Sequence, residues 1–256
     1  MRLPRLIGMV HLRALPGSPA YRGSLDEVLE RAVADANTLT EAGFDAIMIE
    51  NFGDVPFFPG TVPAATIAAM TRAVQAVAEA SSLPLGVNVL RNDAVGALAV
   101  AAATGAAMIR VNVLSGTMFT DQGPIVGRAA EVARARRELG IEVAVLADVF
   151  VKHATPPPFL TIEDAAIDTW ERSGADALVI SGSGTGRPID TNDLDRVKAA
   201  VPGAPLVIGS GADQANVAHL LTTATSIIVG SSLKPSGDVS APVDATLAAR
   251  LVAAAR

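Results

Sequence analysis

Two carboxylates, Glu50 and Asp148, sit where short apolar runs stop, and they are the first candidates for acid–base work. Lys152 lies four residues beyond Asp148, and Arg110 interrupts another apolar run. Cationic neighbours of this kind keep a carboxylate ionised, whereas aromatic walls such as Phe52, Phe57 and Phe58 raise its pKa. Glu50 and Asp148 would also suit Mg²⁺, with Asn51 or Asn88 as further oxygen ligands. The plainer alternative is a pair of salt bridges to Arg110 and Lys152. Lys152 reads as a counter-charge for an anionic ligand or as an acid–base or Schiff-base lysine. His11 ends the first apolar run and suits proton donation or a hydrogen bond to ligand. His11 and His153 lack the fixed spacing of a zinc site. Asn88, Arg110, Asn112 and Thr185 are candidate substrate contacts. Asp121 joins them from Thr120-Asp-Gln-Gly123, which is either a plain turn or a segment that closes over a ligand.

A second group of residues suits phosphate. Leu206-Val-Ile208 and Ile227-Ile-Val229 are apolar and β-branched, and each stops at Gly and Ser. Gly209, Ser210, Gly211, Gly230 and Ser231 would bring main-chain N–H groups close to an anion, helped by a helix beginning near Asp213. Gly182, in the run Ser181 to Gly186, offers a similar cradle; its spacing is not that of a dinucleotide loop. The alternative is two ordinary turns that need Gly for geometry.

These residues must be positioned by alternating strands and helices. The patterning predicts strands over Leu6 to Val10, Ala46 to Glu50, Leu85 to Val89, Met108 to Asn112, Val143 to Asp148, Ala177 to Ser181, Leu206 to Gly209 and Ile227 to Gly230. Helices are expected between them, among them Ser24 to Ala42 with Ser24 and Glu27 as a capping box, Val126 to Leu139, Ile162 to Ser173 and Asp213 to Thr222. Gly43, Gly105 and Gly174 each close a helix just before a strand. Eight such units in 256 residues make a single (β/α)8 TIM barrel, an α/β fold spanning residues 1–256. Helix-to-strand loops are short. The strand-to-helix loops His11 to Gly23, Asn51 to Val62, Val113 to Ile125 and Val149 to Thr161 are long, and lie at the barrel end where sites form.

Composition narrows the class. The chain is 50% hydrophobic with a mean hydropathy of +0.40, which supports a large core. A net charge of -6 with scattered basic residues argues against nucleic acid as a partner. The absence of cysteine excludes disulfides and thiolate sites. No apolar run is long enough for a transmembrane segment, and the start lacks a secretory pattern, so a cytoplasmic location is expected. Apolar Ala/Val helix surfaces and the Phe-rich second loop hint at a homo-oligomer.

The stretches Ile7 to Pro19, Gly43 to Asp54, Asn88 to Asp93, Ile109 to Asn112, Thr120 to Gly123, Ala147 to Val149 with Lys152-His153, Thr185-Gly186, Ile208 to Gly211 and Val229 to Lys234 together resemble the BtpA family, which includes SgcQ-type proteins. The resemblance implies a barrel similar to the ribulose-phosphate-binding superfamily. It links founding members to accumulation of photosystem I proteins in cyanobacteria, although members also occur in organisms without photosynthesis. It supplies no defined reaction. The expectation is an enzyme acting on a phosphorylated small molecule, a sugar phosphate or phosphoribosyl compound, through Glu50, Asp148, Lys152 and His11. Isomerisation, C–C or C–N chemistry and metal-assisted phosphate hydrolysis all fit that site. A non-catalytic phosphate-ligand regulator or a photosystem assembly factor is the alternative.

Overall fold

The computed structural model describes residues 3–182, 184 and 189–256. Eleven strands occur among them: β1 (Leu6–His11), β2 (Ala46–Glu50), β3 (Leu85–Asn88), β4 (Met108–Val111), β5 (Thr117–Thr120), β6 (Gly123–Val126), β7 (Ala144–Val149), β8 (Ala154–Thr155), β9 (Ala177–Ile180), β10 (Leu206–Ile208) and β11 (Ser226–Val229). Eight of them close a parallel barrel in the order β1-β11-β10-β9-β7-β4-β3-β2. Every parallel link needs a crossover, and the helices supply it. They are α1 (Leu25–Ala42), α2 (Ala64–Ala80), α3 (Ala94–Thr104), α4 (Ala129–Glu138), α5 (Ile162–Ile167), α6 (Thr191–Ala200), α7 (Val217–Leu220) and α8 (Ala245–Ala255).

The strand period of two decides what fills the barrel. Ile7, Met9, Met48, Met108, Leu146, Val179, Val207 and Ile228 pack together as its interior. Their neighbours along the strands pack outward against the helices as a second, larger core. Continuing the inward parity by two residues gives His11, Glu50, Asn88, Arg110, Asp148, Ser181, Gly209 and Gly230. The layer above the apolar plug is therefore polar, with one residue from each strand. Register holds part of it together, because His11 pairs with Glu50 and Glu50 with Asn88.

Local signals account for the helix ends. The Ser24 hydroxyl accepts from Glu27 N–H at 3.2 Å and starts α1. Gly43, at φ 91, ends it in the left-handed region.

Three elements differ from expectation. The long loop after β4 is not plain coil: β5 and β6 form an antiparallel hairpin, and β8, from the loop after β7, pairs with β5. The helix expected to run from Ile162 to Ser173 ends as α5 at Ile167 and continues as a π-helix over Asp168–Arg172. No helix begins at Asp213. The Asp213 carboxylate accepts from Ala215 and Asn216 N–H, and Asn216 donates to the Gly211 carbonyl. Such side-chain bonds to nearby backbone compete with a helical turn, and α7 is only Val217–Leu220.

Candidate active site

The polar layer divides into two sub-sites. The first is a buried network centred on Asp148. Arg110 donates to it twice, from Nε to Oδ2 at 2.9 Å and from Nη2 to Oδ1 at 2.7 Å. Asn112 Nδ2 and Ser181 Oγ donate to the same carboxylate at 3.2 and 3.1 Å. Burial opposes the charge on Arg110, but Asp148 outweighs it and raises the guanidinium's pKa. The salt-bridge alternative describes Asp148, whose two oxygens are fully engaged. A Mg²⁺ shared by Asp148 and Glu50 would have to displace these donors. Among the described residues, no group of three or more His, Asp or Glu side chains could hold a metal ion.

The second sub-site faces open space. Glu50 accepts from Asn88 Nδ2 at 2.7 Å, and both residues are buried. Glu50 and Lys152 line a cavity of about 340 Å³ together with Phe52, Phe57, Arg91 and Asp121. They also line a recess of about 30 Å³ beneath the two glycine crests. Lys152 Nζ makes no hydrogen bond or ion pair among the described residues. Burial lowers its pKa, against the pull of Glu50. Backbone shape aims this lysine. Phe150 and His153 flank it at φ 54 and 56, where residues other than glycine are uncommon. Val151 anchors the turn in a small cluster with Val113, Met118 and Ile125.

His11 stands between the crests and the second loop. Its ring meets Phe52 edge-on at 5.0 Å, and its buried Nδ1 has no partner among the described residues. Desolvation, then the charges of Lys234 and Lys152, lowers its pKa to about 3. His11 is therefore a neutral imidazole near pH 7.

The crests serve two purposes. A Cβ on Gly209 would lie 2.5 Å from Ser181 Oγ and 2.8 Å from Arg110 Nη2, and one on Gly230 would lie 2.8 Å from His11 Cε1. Both glycines thus make room for the site's own side chains. Gly209 N–H continues the strand ladder to the Ile180 carbonyl at 2.8 Å. Gly182 N–H donates to Ser210 Oγ at 3.2 Å. Ser210, Gly211 and Ser231 line the recess, and their N–H groups have no protein acceptor among the described residues. Ser232 Oγ ties the crests together by donating to the Ala212 carbonyl at 2.7 Å. Asp121 reaches the cavity from the hairpin turn. Thr185 lies outside the described residues.

Arg91 was not singled out from the sequence as a site residue. It is buried, donates to the Lys152 carbonyl at 2.5 Å and lines the larger cavity. Its position in a polar run after β3 gave little signal, because its neighbours there are structural. Asn92 pairs with both main-chain groups of Val113, and Asp93 caps α3 through Gly96 N–H. Lys234 shows the reverse. It follows a crest yet is buried away from it, donating to the Val239 and Ala241 carbonyls.

Known proteins resemble this chain in sequence and in fold. An uncharacterized protein of Thermococcus kodakarensis is 49% identical over 251 residues, 98% of this chain and 95% of its own. The photosystem I biogenesis protein BtpA of Synechocystis is 47% identical over 239 residues, 93% of this chain and 83% of its own. The phosphoribosyl anthranilate isomerase of Thermus thermophilus is a structural neighbour with a TM-score of 0.59 at 14% identity, covering 98% of this chain and 97% of its own. That last likeness is one of fold. Residues 3–256 match the BtpA family along their whole length, and the chain belongs to that family.

Proposed function

We propose that the protein is an enzyme acting on a phosphorylated small molecule, a sugar phosphate or phosphoribosyl compound, held at the barrel mouth. The observation that carries this reading is the pairing of free main-chain donors with an unpaired, half-buried lysine. Ser210, Gly211 and Ser231, whose N–H groups have no protein acceptor among the described residues, line the same recess as Lys152 and Glu50. Donors fixed by the backbone lose little freedom when a phosphoryl group arrives, and a nearby ammonium adds charge complementarity. The recess holds about one water's volume at 30 Å³, so the flexible Lys152 arm swings aside as the phosphoryl group enters. The body of the substrate then occupies the 340 Å³ cavity.

Within that cavity Glu50 is the base and Lys152 the acid of a proton transfer. Asn88 orients the carboxylate, and burial brings the ammonium closer to neutral pH, where it gives up a proton more readily. Arg110 and Asp148 act as a fixed electrostatic pair and do not exchange protons with substrate. No step in this scheme is assigned to Mg²⁺.

The name of the Synechocystis relative favours a second reading, a ligand-binding protein in complex biogenesis. Thermal melting with ribose 5-phosphate and with ribose separates the possibilities. The enzyme reading expects a rise in Tm with the phosphate alone, lost in Gly211→Asp. In Glu50→Gln, binding persists while turnover of the converted substrate is lost. Binding with no turnover of any sugar phosphate supports the second reading. No stabilisation by any phosphate contradicts both.

A further inference from the structure

A larger cavity lies on the opposite side of the His11–Phe52 wall. It measures about 550 Å³ and runs between the loop after β1, the first turns of α1 and the segment around Val239 and Ser240. That volume is in the range of sites for organic ligands. Its lining carries three guanidinium groups, from Arg13, Arg22 and Arg31, against the single carboxylate of Glu27. Such a concentration of positive charge is unusual in a chain of net charge -6.

The arginines differ in how they are held. Arg31 is anchored, with its Nε donating to the buried Asp35 at 3.0 Å. Asp35 in turn is fixed by Val243 N–H at 2.9 Å and by Lys234 Nζ at 3.6 Å. The Arg31 Nη groups have no partner among the described residues. Arg13 and Arg22 likewise make no side-chain hydrogen bond or ion pair among those residues. The wall that carries Arg13 is rigid. Leu15 N–H donates to Asp54 at 2.7 Å, and a Cβ on Gly53 would fall 2.3 Å from Ala14 N, so the two loops lie backbone on backbone. Tyr21 adds a flat apolar face with a polar tip. His11, with its unpartnered Nδ1, belongs to the lining of both this cavity and the recess beneath the crests.

We propose that this groove is a second ligand site, taking an organic phosphate through Arg13, Arg22 and Arg31 and separated from the barrel-mouth site by the His11–Phe52 wall. Guanidinium groups match phosphate oxygens in pairs, which a neutral ligand of the same shape cannot use. The site stands independently of the reaction assigned to Glu50 and Lys152.

Calorimetric titration of the full chain at low ionic strength, with ADP as probe and adenosine as its uncharged counterpart, tests the assignment. ADP is expected to bind, with adenosine at least about tenfold weaker. The double variant Arg13→Gln/Arg22→Gln, which spares the Asp35 cluster, is expected to lose about tenfold or more in ADP affinity while keeping its Tm. Lys152→Met is expected to bind ADP as the unmodified protein does. Undetectable ADP binding, equal binding of adenosine, or full affinity in the double variant would overturn the proposal. Loss of ADP binding in Lys152→Met would also overturn it, by placing the ligand in the barrel mouth. The response to ribose 5-phosphate is measured separately, so failure of this proposal and failure of the barrel-mouth reading are distinguishable.

Discussion

Burial and two lysines hold His11 at a pKa of about 3, and this has a consequence for stability. Below the ordinary value of 6.5 the unfolded chain takes up a proton that the folded chain refuses until about 3. Stability therefore rises with pH through that window, and the contribution is complete above it. Urea denaturation at about pH 4.5 and about pH 7.5 should show the unmodified protein losing more stability on acidification than His11→Asn. Equal losses would show that His11 is protonated in the folded state. His11 also shows what a sequence can and cannot say about a residue. Its place at a strand tip follows from the pattern, whereas its neutrality depends on Gly230 and Phe52 packing against the ring. Glu50 and Asp148 looked equivalent for the same reason. Each follows an apolar run, but only Asp148 meets a guanidinium two-on-two, leaving Glu50 and Lys152 as the groups facing open space.

Among the elements, the barrel strands were legible because two signals agree. Runs such as 46–49 are apolar at every position, and glycines such as Gly43 and Gly105 fix where a helix must stop. The hairpin of β5 and β6 was not legible, since its strands are four residues each and alternate over a small cluster of their own. The shortness of α7 was hidden as well, because Asp213 reads as a helix-start residue and its carboxylate instead accepts from Ala215 and Asn216 N–H in the turn before it. The network around Asp148 joins elements distant in sequence. Arg110 on β4 contacts Asp148 on β7, Ser181 after β9 and the Gly209 carbonyl after β10. Asp148→Asn leaves that guanidinium buried without its counter-charge, and the expected cost is about 3–5 kcal/mol of unfolding free energy. Chemical denaturation measures it directly. A change within about 0.5 kcal/mol would mean that Arg110 finds another partner or that water reaches it.

At the scale of the whole molecule, the candidate sites are concentrated at one end of the barrel. The long loops, the polar layer and the three cavities described above lie there, while the short loops close the opposite end. No helix among the described residues is long and apolar enough to cross a membrane. The central claim is that the open main-chain donors of Ser210, Gly211 and Ser231 receive a phosphoryl group, with Lys152 and Glu50 against the rest of the ligand. A crystal structure of the complex with ribose 5-phosphate tests this most directly. The account predicts phosphate oxygens within about 3 Å of those N–H groups and the sugar beside Glu50. A phosphate seated elsewhere, or a recess still closed by Lys152 at saturating ligand, would contradict it.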